Sequence, residues 1–327
     1  MCTVVKYNSG DFYFGRTLDH NCSYCEEVVI VPRRYELALR DCGETLRAHY
    51  AIMGMAHIAD GVPLFYDAVN EKGLAAAGLN FVGNAVYHRP CANKTNIAQF
   101  EIIPYLLARC ATVNEAKRLL ADMNITDTSF GAGYEPALLH WMVADAKQAI
   151  VVESVADGLH VYDNPAGVMT NNPPFPMQLH NLNNYMHVSP LTPKNNFSDK
   201  LQFDAYSLGM GGLGLPGDLS SGSRFVRAAF VALNSPPCDC EKKSVAQFFH
   251  ILDSVAQPLG SCVMPSGEYE STIYSSCCNA TRGIYYYNSY NNRRIIGVDM
   301  HAVGLDGRNV FRYPLILDDE VYFQNKP

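Results

Sequence analysis

Strand patterns and helix patterns alternate in blocks along this chain, and that order limits it to few architectures. The first twenty residues pattern as a hairpin. A β-branched and aromatic run covers 3–7, Asn8-Ser9-Gly10-Asp11 makes a turn, and 12–15 run back. Glu27-Val28-Val29-Ile30-Val31 reads as another strand, stopped by Pro32. Helices follow. Ile102, Ile103, Leu106 and Leu107 share a face at helical spacing. Thr112-Val113-Asn114-Glu115 is a capping box that opens a helix carrying Ala116, Leu119 and Leu120. Strands return over 138–143, 150–155, 159–162 and 167–170. Two more helices are predicted over 223–233 and 244–257, the second stopped by Pro258, and then strands near 272–275, 283–288 and 295–299. These blocks predict an α+β fold in which helices cover antiparallel sheets, as one domain over residues 1–327.

The formal net charge of −7 argues against a duplex nucleic-acid binder, which needs clustered Lys and Arg. No run of about 18 apolar residues offers a membrane span. The start, Met1 to His20, lacks a basic segment followed by an apolar one, so the expected compartment is the cytosol. There the eleven cysteines should be mostly reduced thiols, and the five Asn-x-Ser/Thr triplets carry no weight.

Three patterns lead away from function. Gly209-Met210-Gly211-Gly212-Leu213-Gly214 matches a dinucleotide fingerprint, but no strand precedes it and Pro216 and Gly217 follow, so it reads as a glycine loop. Cys22-Ser23-Tyr24-Cys25 is a single C-x-x-C without the second pair that a structural zinc site wants. A thiol or metal-binding protein built on Cys22 and Cys25 is the distant alternative. His140, between Leu139 and Trp141 in a strand, reads as a satisfied core residue. A serine hydrolase has no G-x-S-x-G elbow to start from.

Cys2 leads somewhere. A small second residue permits removal of Met1, which leaves one residue carrying both a thiol and a free α-amine. An α-amine titrates near neutral pH and can act as base, while the thiolate is the nucleophile. Arg16 and Asp19 lie on the returning arm of the hairpin, which brings them back beside Cys2. A cation there favours thiolate and a carboxylate can hold the amine. Residues three apart on a strand face opposite sides, so a bend near Thr17 is predicted.

Longer stretches now carry a resemblance. Met1-Cys2-Thr3, Phe14-Gly15-Arg16-Thr17-Leu18-Asp19, Asn70-Glu71-Lys72-Gly73-Leu74, Ala77-Gly78-Leu79-Asn80, Met169-Thr170-Asn171-Asn172-Pro173, Gly214-Leu215-Pro216-Gly217-Asp218, Ser223-Arg224-Phe225 and Gly283-Ile284-Tyr285-Tyr286-Tyr287-Asn288 occur in the order seen in the choloylglycine hydrolase family. The chain resembles that family, which comprises bile salt hydrolases and penicillin V acylases, along nearly its whole length. The resemblance implies the four-layer αββα N-terminal nucleophile fold with two stacked antiparallel sheets.

It also implies roles. Cys2 would be the nucleophile and its amine the base, Arg16 and Arg224 would flank the thiol, and Asp19 would anchor the amine. Asn171 would give a side-chain donor, and Asn80 a backbone N–H, to an oxyanion hole. The reaction implied is hydrolysis of a glycine- or taurine-conjugated bile salt without metal or cofactor, by a homotetramer. Penicillin V acylases, the alternative, commonly carry Tyr where this chain has Asn80. Three segments match the family's substrate loops, around 18–24, 58–65 and 130–139, with Leu18, Tyr24, Phe65, Phe130 and Leu139 as candidate contacts for a steroid body.

Overall fold

The computed structural model describes residues 1–318, 321 and 323–325. Its first block of strands is β1 Cys2–Ser9, β2 Asp11–His20, β3 Glu27–Val31, β4 Leu37–Ala38, β5 Thr45–Leu46, β6 Ile52–Ala59, β7 Val62–Asn70, β8 Ala75–Asn80 and β9 Thr95–Ala98. Helices α1 Ile102–Arg109 and α2 Val113–Ala121 follow, then β10 Met123–Thr126, β11 Leu139–Ala144, β12 Ala149–Val155, β13 Gly158–Asp163 and β14 Val168–Met169. Helices α3 Phe175–Asn181, α4 Ser221–Asn234 and α5 Glu241–Asp253 lead to β15 Ser271–Asn279, β16 Ile284–Ser289, β17 Ile296–Asp299 and β18 Phe311–Pro314.

Two antiparallel sheets carry the molecule. The smaller has the order β14-β1-β2-β15-β16-β17, and the larger β13-β12-β11-β8-β7-β6-β3-β18. β3 shows why they stack. Val28 and Ile30 join the core that β1, β2, α4 and α5 also line, while Val29 and Val31 join a second core with α1 and α2. A strand buried on both faces reads as a continuous apolar run, not as alternation. The layers are therefore α4 and α5, small sheet, large sheet, α1 and α2. This is the expected α+β arrangement. Among the described residues no helix is long and apolar enough to cross a membrane.

Three local expectations change. The segment at 58–65 is not a loop: it closes the β6–β7 hairpin, turning at Asp60 and Gly61, both with positive φ. Helix α5 ends at Asp253, before Pro258, because Gln257 leaves the helix to exchange hydrogen bonds with Thr272, 2.8 Å from its N–H to Thr272 Oγ1 and 3.0 Å from Thr272 N–H to its carbonyl. Strand β2 runs unbroken through Thr17. The irregularity lies in its neighbour β15, whose register with β2 slips between Thr272 and Tyr274. Gly15 lets these two strands approach, since a Cβ there would lie 2.0 Å from the Ser276 carbonyl oxygen.

Candidate active site

Register places the first arginine. Cys2 pairs with Leu18 across β1 and β2, so Arg16, two residues along, points to the same face as the thiol, into the space between the sheets. Its Nη2 donates to Cys2 Sγ at 2.6 Å. Nη1 donates to the carbonyls of Gly78 at 2.7 Å and Tyr66 at 3.2 Å, and Nε to that of Thr17 at 3.2 Å. Burial works against the Arg16 charge, but Cys2, Tyr274, Asp67 and Asp19 outweigh it and raise its pKa above the usual arginine value.

Thr3, Thr17 and Asp19 face the opposite side of the sheet, toward α4. Thr17 Oγ1 accepts from the Thr3 N–H at 3.2 Å and donates to Asp19 Oδ2 at 3.1 Å, and Thr272 Oγ1 donates to Asp19 Oδ1 at 2.7 Å. Burial pushes the Asp19 carboxyl up, against Arg224, the Met1 ammonium and these hydroxyls. The unbroken strand thus puts Arg16 and Asp19 on opposite faces. The Met1 ammonium donates to the Asp19 carbonyl at 2.8 Å and pairs with Glu270.

Arg224 arrives on the first turns of α4. It does not touch the sulfur. Nη1 donates to the Cys2 carbonyl at 2.5 Å and Thr3 Oγ1 at 2.7 Å, and Nη2 to Asn171 Oδ1 at 2.7 Å. The two arginines therefore hold Cys2 from opposite faces, one at the thiol and one at the carbonyl. Burial lowers the Arg224 pKa, with Asp19 and Cys2 opposing.

Asn171 follows β14. Its Oδ1 also accepts from the Cys2 N–H at 2.8 Å, and its Nδ2 donates to the Asn80 carbonyl at 2.7 Å. The orientation of Asn80 follows from its ladder. Phe81 N–H donates to the Leu138 carbonyl at 2.7 Å, so the next pair, Asn80 with Leu139, is a non-hydrogen-bonded one. The Asn80 N–H and carbonyl therefore turn to the other edge of β8, where pairing with β7 has already ended at Ala77. The Gly78 carbonyl that Arg16 meets lies on that same edge. One thiol, two arginines and the Asn171 amide thus converge on the start of β1, with the Asn80 carbonyl beside Asn171 and the Asp19 carboxylate on the opposite face.

The family model for linear amide C–N hydrolases of the choloylglycine hydrolase family matches residues 2–313. The chain belongs to that family. A bile salt hydrolase/transferase of Lactiplantibacillus plantarum is 50% identical over 325 residues, 99% of this chain and 100% of the relative. One from Clostridium perfringens is 36% identical over 96% of both chains. A solved structure of a variant of the Clostridium perfringens conjugated bile acid hydrolase superposes with TM-score 0.91 at 34% identity, covering 99% of this chain and 100% of that one. A penicillin V acylase from Agrobacterium tumefaciens shares the fold, with TM-score 0.76 at 22% identity over 95% of this chain and 90% of that one.

In this member of the choloylglycine hydrolase family the candidate substrate contacts divide. Leu18 and Leu139 are register neighbours of Cys2 and Asn80. Tyr24 is exposed, and its carbonyl meets His57 Nδ1 at 2.7 Å, while His57 Nε2 lies 3.5 Å from the Tyr134 hydroxyl. His57, on β6, thus joins the predicted loops around 18–24 and 130–139. Phe65 is buried against the α1 side of the large sheet. Phe130 is buried between Phe100 and Tyr134, with the Arg40 guanidinium over its ring. Tyr134, half-exposed, was not singled out by sequence reasoning.

Gln178 was also missed. Gln178 Nε2 donates to the carbonyls of Asn171 at 2.5 Å and Pro173 at 2.8 Å. His140, the expected core histidine, lies between Glu153 Oε1 at 3.1 Å and the Thr170 carbonyl at 2.7 Å, stacked on Phe81. Both steady the backbone that carries Asn171. A buried amide or imidazole in an apolar run is a signal, since such groups require partners. Cys22 and Cys25 are exposed and unpaired, and the glycine loop at 209–214 contains a single 3-10 turn. Among the described residues no cluster of three or more His, Cys, Asp or Glu could hold a metal ion.

Proposed function

We propose that this enzyme hydrolyses the amide bond of glycine- or taurine-conjugated bile acids, with Cys2 as nucleophile. The observation that carries the reading is the Cys2 thiol 2.6 Å from Arg16 Nη2, on a residue whose own nitrogen is held 2.8 Å from Asn171 Oδ1. Full-length identity of 50% to a bile salt hydrolase/transferase supports the substrate class.

The Cys2 α-amine takes the thiol proton, and the thiolate, beside Arg16 Nη2, attacks the amide carbonyl carbon, whose π electrons move onto oxygen. The Asn80 N–H and the second hydrogen of Asn171 Nδ2 stabilise that oxyanion. Collapse breaks the C–N bond, and the α-ammonium of Cys2 protonates the leaving amine. The Cys2 α-amine then takes a proton from water as that water attacks the thioester carbonyl; the C–S bond breaks, the Cys2 thiolate leaves, and the bile acid is released. With Met1 attached, the Cys2 nitrogen is a peptide nitrogen and has no basic lone pair. Active preparations are therefore expected to have an intact mass lacking Met1; full activity in a preparation that retains it would end the α-amine mechanism.

The decisive test is kcat/KM on glycocholate, taurocholate and penicillin V under one set of conditions. Both bile salts should exceed penicillin V by tenfold or more, on the order of 1.4 kcal/mol in transition-state binding. Asn80 is small and amide-bearing, where the phenol ring of penicillin V acylases would fill the space beside the scissile bond. A higher value on penicillin V would overturn the substrate class and leave the Cys2 chemistry standing.

A cytosolic location and a tetramer belong to the same proposal. All eleven cysteines are unpaired, which suits a reducing compartment. The arm between α3 and α4 exposes Met186, Leu191, Phe197, Tyr206 and Leu208, the last at 91%. So much apolar surface on one irregular arm fits burial against a second copy. Sedimentation should give about four chains, and Phe197→Asp with Leu208→Asp should give fewer; a wild-type monomer at micromolar concentration would exclude this.

A further inference from the structure

Arg16 lies between the sheets, and what holds it there has a further layer. Its guanidinium touches the sulfur and three carbonyls, and among the described residues no carboxylate lies in ion-pair contact with it. The carboxylate of Asp67, on β7 of the large sheet, reaches across to the small one. Three hydroxyls converge on it: Tyr274 on Oδ1 at 2.8 Å, Tyr285 on Oδ2 at 2.7 Å and Ser276 on Oδ2 at 3.0 Å. Ser276 settles the direction of its bond. Its oxygen accepts from the Arg16 backbone N–H at 3.1 Å, so its single hydrogen goes to Asp67. Asp67 is fully buried and accepts from all three, as an ionised carboxylate does. Burial pushes its pKa up, and Arg16 and the three hydroxyls oppose that.

The same stretch of β7 meets Arg16 twice. Tyr66 offers its carbonyl to Nη1, and Asp67 reaches the Arg16 backbone through Ser276. The geometry points to Asp67 as a positioning residue of this enzyme: the inter-sheet carboxylate, with Ser276, Tyr274 and Tyr285, keeps the Arg16 fork on the Cys2 sulfur. This rests on Cys2 being the nucleophile. Asp67 does not reach the thiol itself and acts through Arg16 alone. A buried charge with no contact partner is costly, and the pairing of Asp67 with Arg16 across the gap offsets that cost for both.

The experiment uses the full chain lacking Met1, with two readouts: steady-state hydrolysis of glycocholate, and the rate at which iodoacetamide alkylates Cys2, followed by mass of the N-terminal peptide. In the wild type, alkylation of Cys2 should abolish hydrolysis. If it does not, the nucleophile reading fails, whatever Asp67 does. Asp67→Asn keeps the shape and removes the charge. It should lower kcat by about 10²-fold, the scale of a small misplacement at a reacting group, with KM within about threefold. Cys2 alkylation should slow by about tenfold. In an Arg16→Leu background, where there is no fork to hold, adding Asp67→Asn should change the alkylation rate by less than about twofold. Unchanged or faster alkylation in Asp67→Asn would overturn the proposal, and so would an equal loss in both backgrounds. Should Asp67→Asn fail to fold, Tyr285→Phe removes one of the three donors. It should lower kcat several-fold at constant KM, again only when Arg16 is present, and wild-type kinetics in that variant would overturn the proposal.

Discussion

Cys2→Ala is expected to reduce glycocholate hydrolysis by 10⁴-fold or more, on the order seen when an enzyme loses its nucleophile, while the protein stays folded. The sulfur is buried at the end of β1, and its loss removes one small contact in a strand otherwise held by eight register pairs to β2. The cost in stability should stay below about 2 kcal/mol. Arg16 keeps its three carbonyl acceptors, so the fork remains in place without its sulfur. No other thiol can substitute. Cys22 and Cys25 are exposed in the loop before β3 and carry no α-amine. Cys277 and Cys278 are buried in β15, and burial raises both thiols well above their usual range. Cys22→Ser and Cys25→Ser should therefore stay within about twofold of wild type, because surface changes away from a site have small effects. Amine release and thermal melting on all three variants are the measurement. If Cys22→Ser were as inactive as Cys2→Ala at unchanged melting, the wrong thiol would have been named.

The legible and illegible parts of the fold differ in composition. β3 was readable because Val28, Val29, Ile30 and Val31 fill two cores at once. β6 and β8 were not. Their residues are largely Ala, Gly and Met, small or flexible types with weak strand preference, and packing requires them. A Cβ on Gly54 would lie 2.1 Å from the Asp67 carbonyl oxygen, so no branched residue fits the site next to the one that holds Arg16. In the site, the hairpin alone brought Cys2, Arg16 and Asp19 together, and pairing of Cys2 with Leu18 realises it. The predicted bend at Thr17 is not formed: β2 runs straight through, and Asp19 stays on the face opposite Arg16. Arg224 lies 222 residues from the Cys2 carbonyl it holds, a separation no spacing rule bridges, so Asn80, Asn171 and Arg224 came from family resemblance. Asp67 left a trace, a carboxylate inside the apolar run of β7, whose partner could not be read before the two sheets were stacked.

Asn171→Ala should lower kcat by about 10²–10³-fold, the usual loss for one oxyanion donor, with little change in KM. Three contacts disappear together in that variant: the Cys2 N–H and Arg224 Nη2 lose Oδ1, and the Asn80 carbonyl loses Nδ2. A fall in rate alone would not say which matters, and Asn171→Asp separates them. An aspartate keeps an oxygen for the Cys2 nitrogen and for Arg224, with which it would pair more strongly than an amide does. It has no hydrogen for the oxyanion, and its second oxygen would face the Asn80 carbonyl, acceptor against acceptor. If Asn171 acts chiefly by holding Cys2 and Arg224, Asn171→Asp should recover much of the activity that Asn171→Ala loses. If it acts as a donor to the developing oxyanion, Asn171→Asp should be no better than Asn171→Ala, and worse by the repulsion of a negative charge beside that oxygen. The second outcome is expected. Asn171 Oδ1 is occupied by two donors and Nδ2 by one acceptor, which fixes how the amide is turned and leaves one Nδ2 hydrogen for the edge of β8 to which the Asn80 N–H also turns. Single-turnover acylation on glycocholate with both variants decides it, and recovery of wild-type acylation in Asn171→Asp would remove Asn171 from the oxyanion hole.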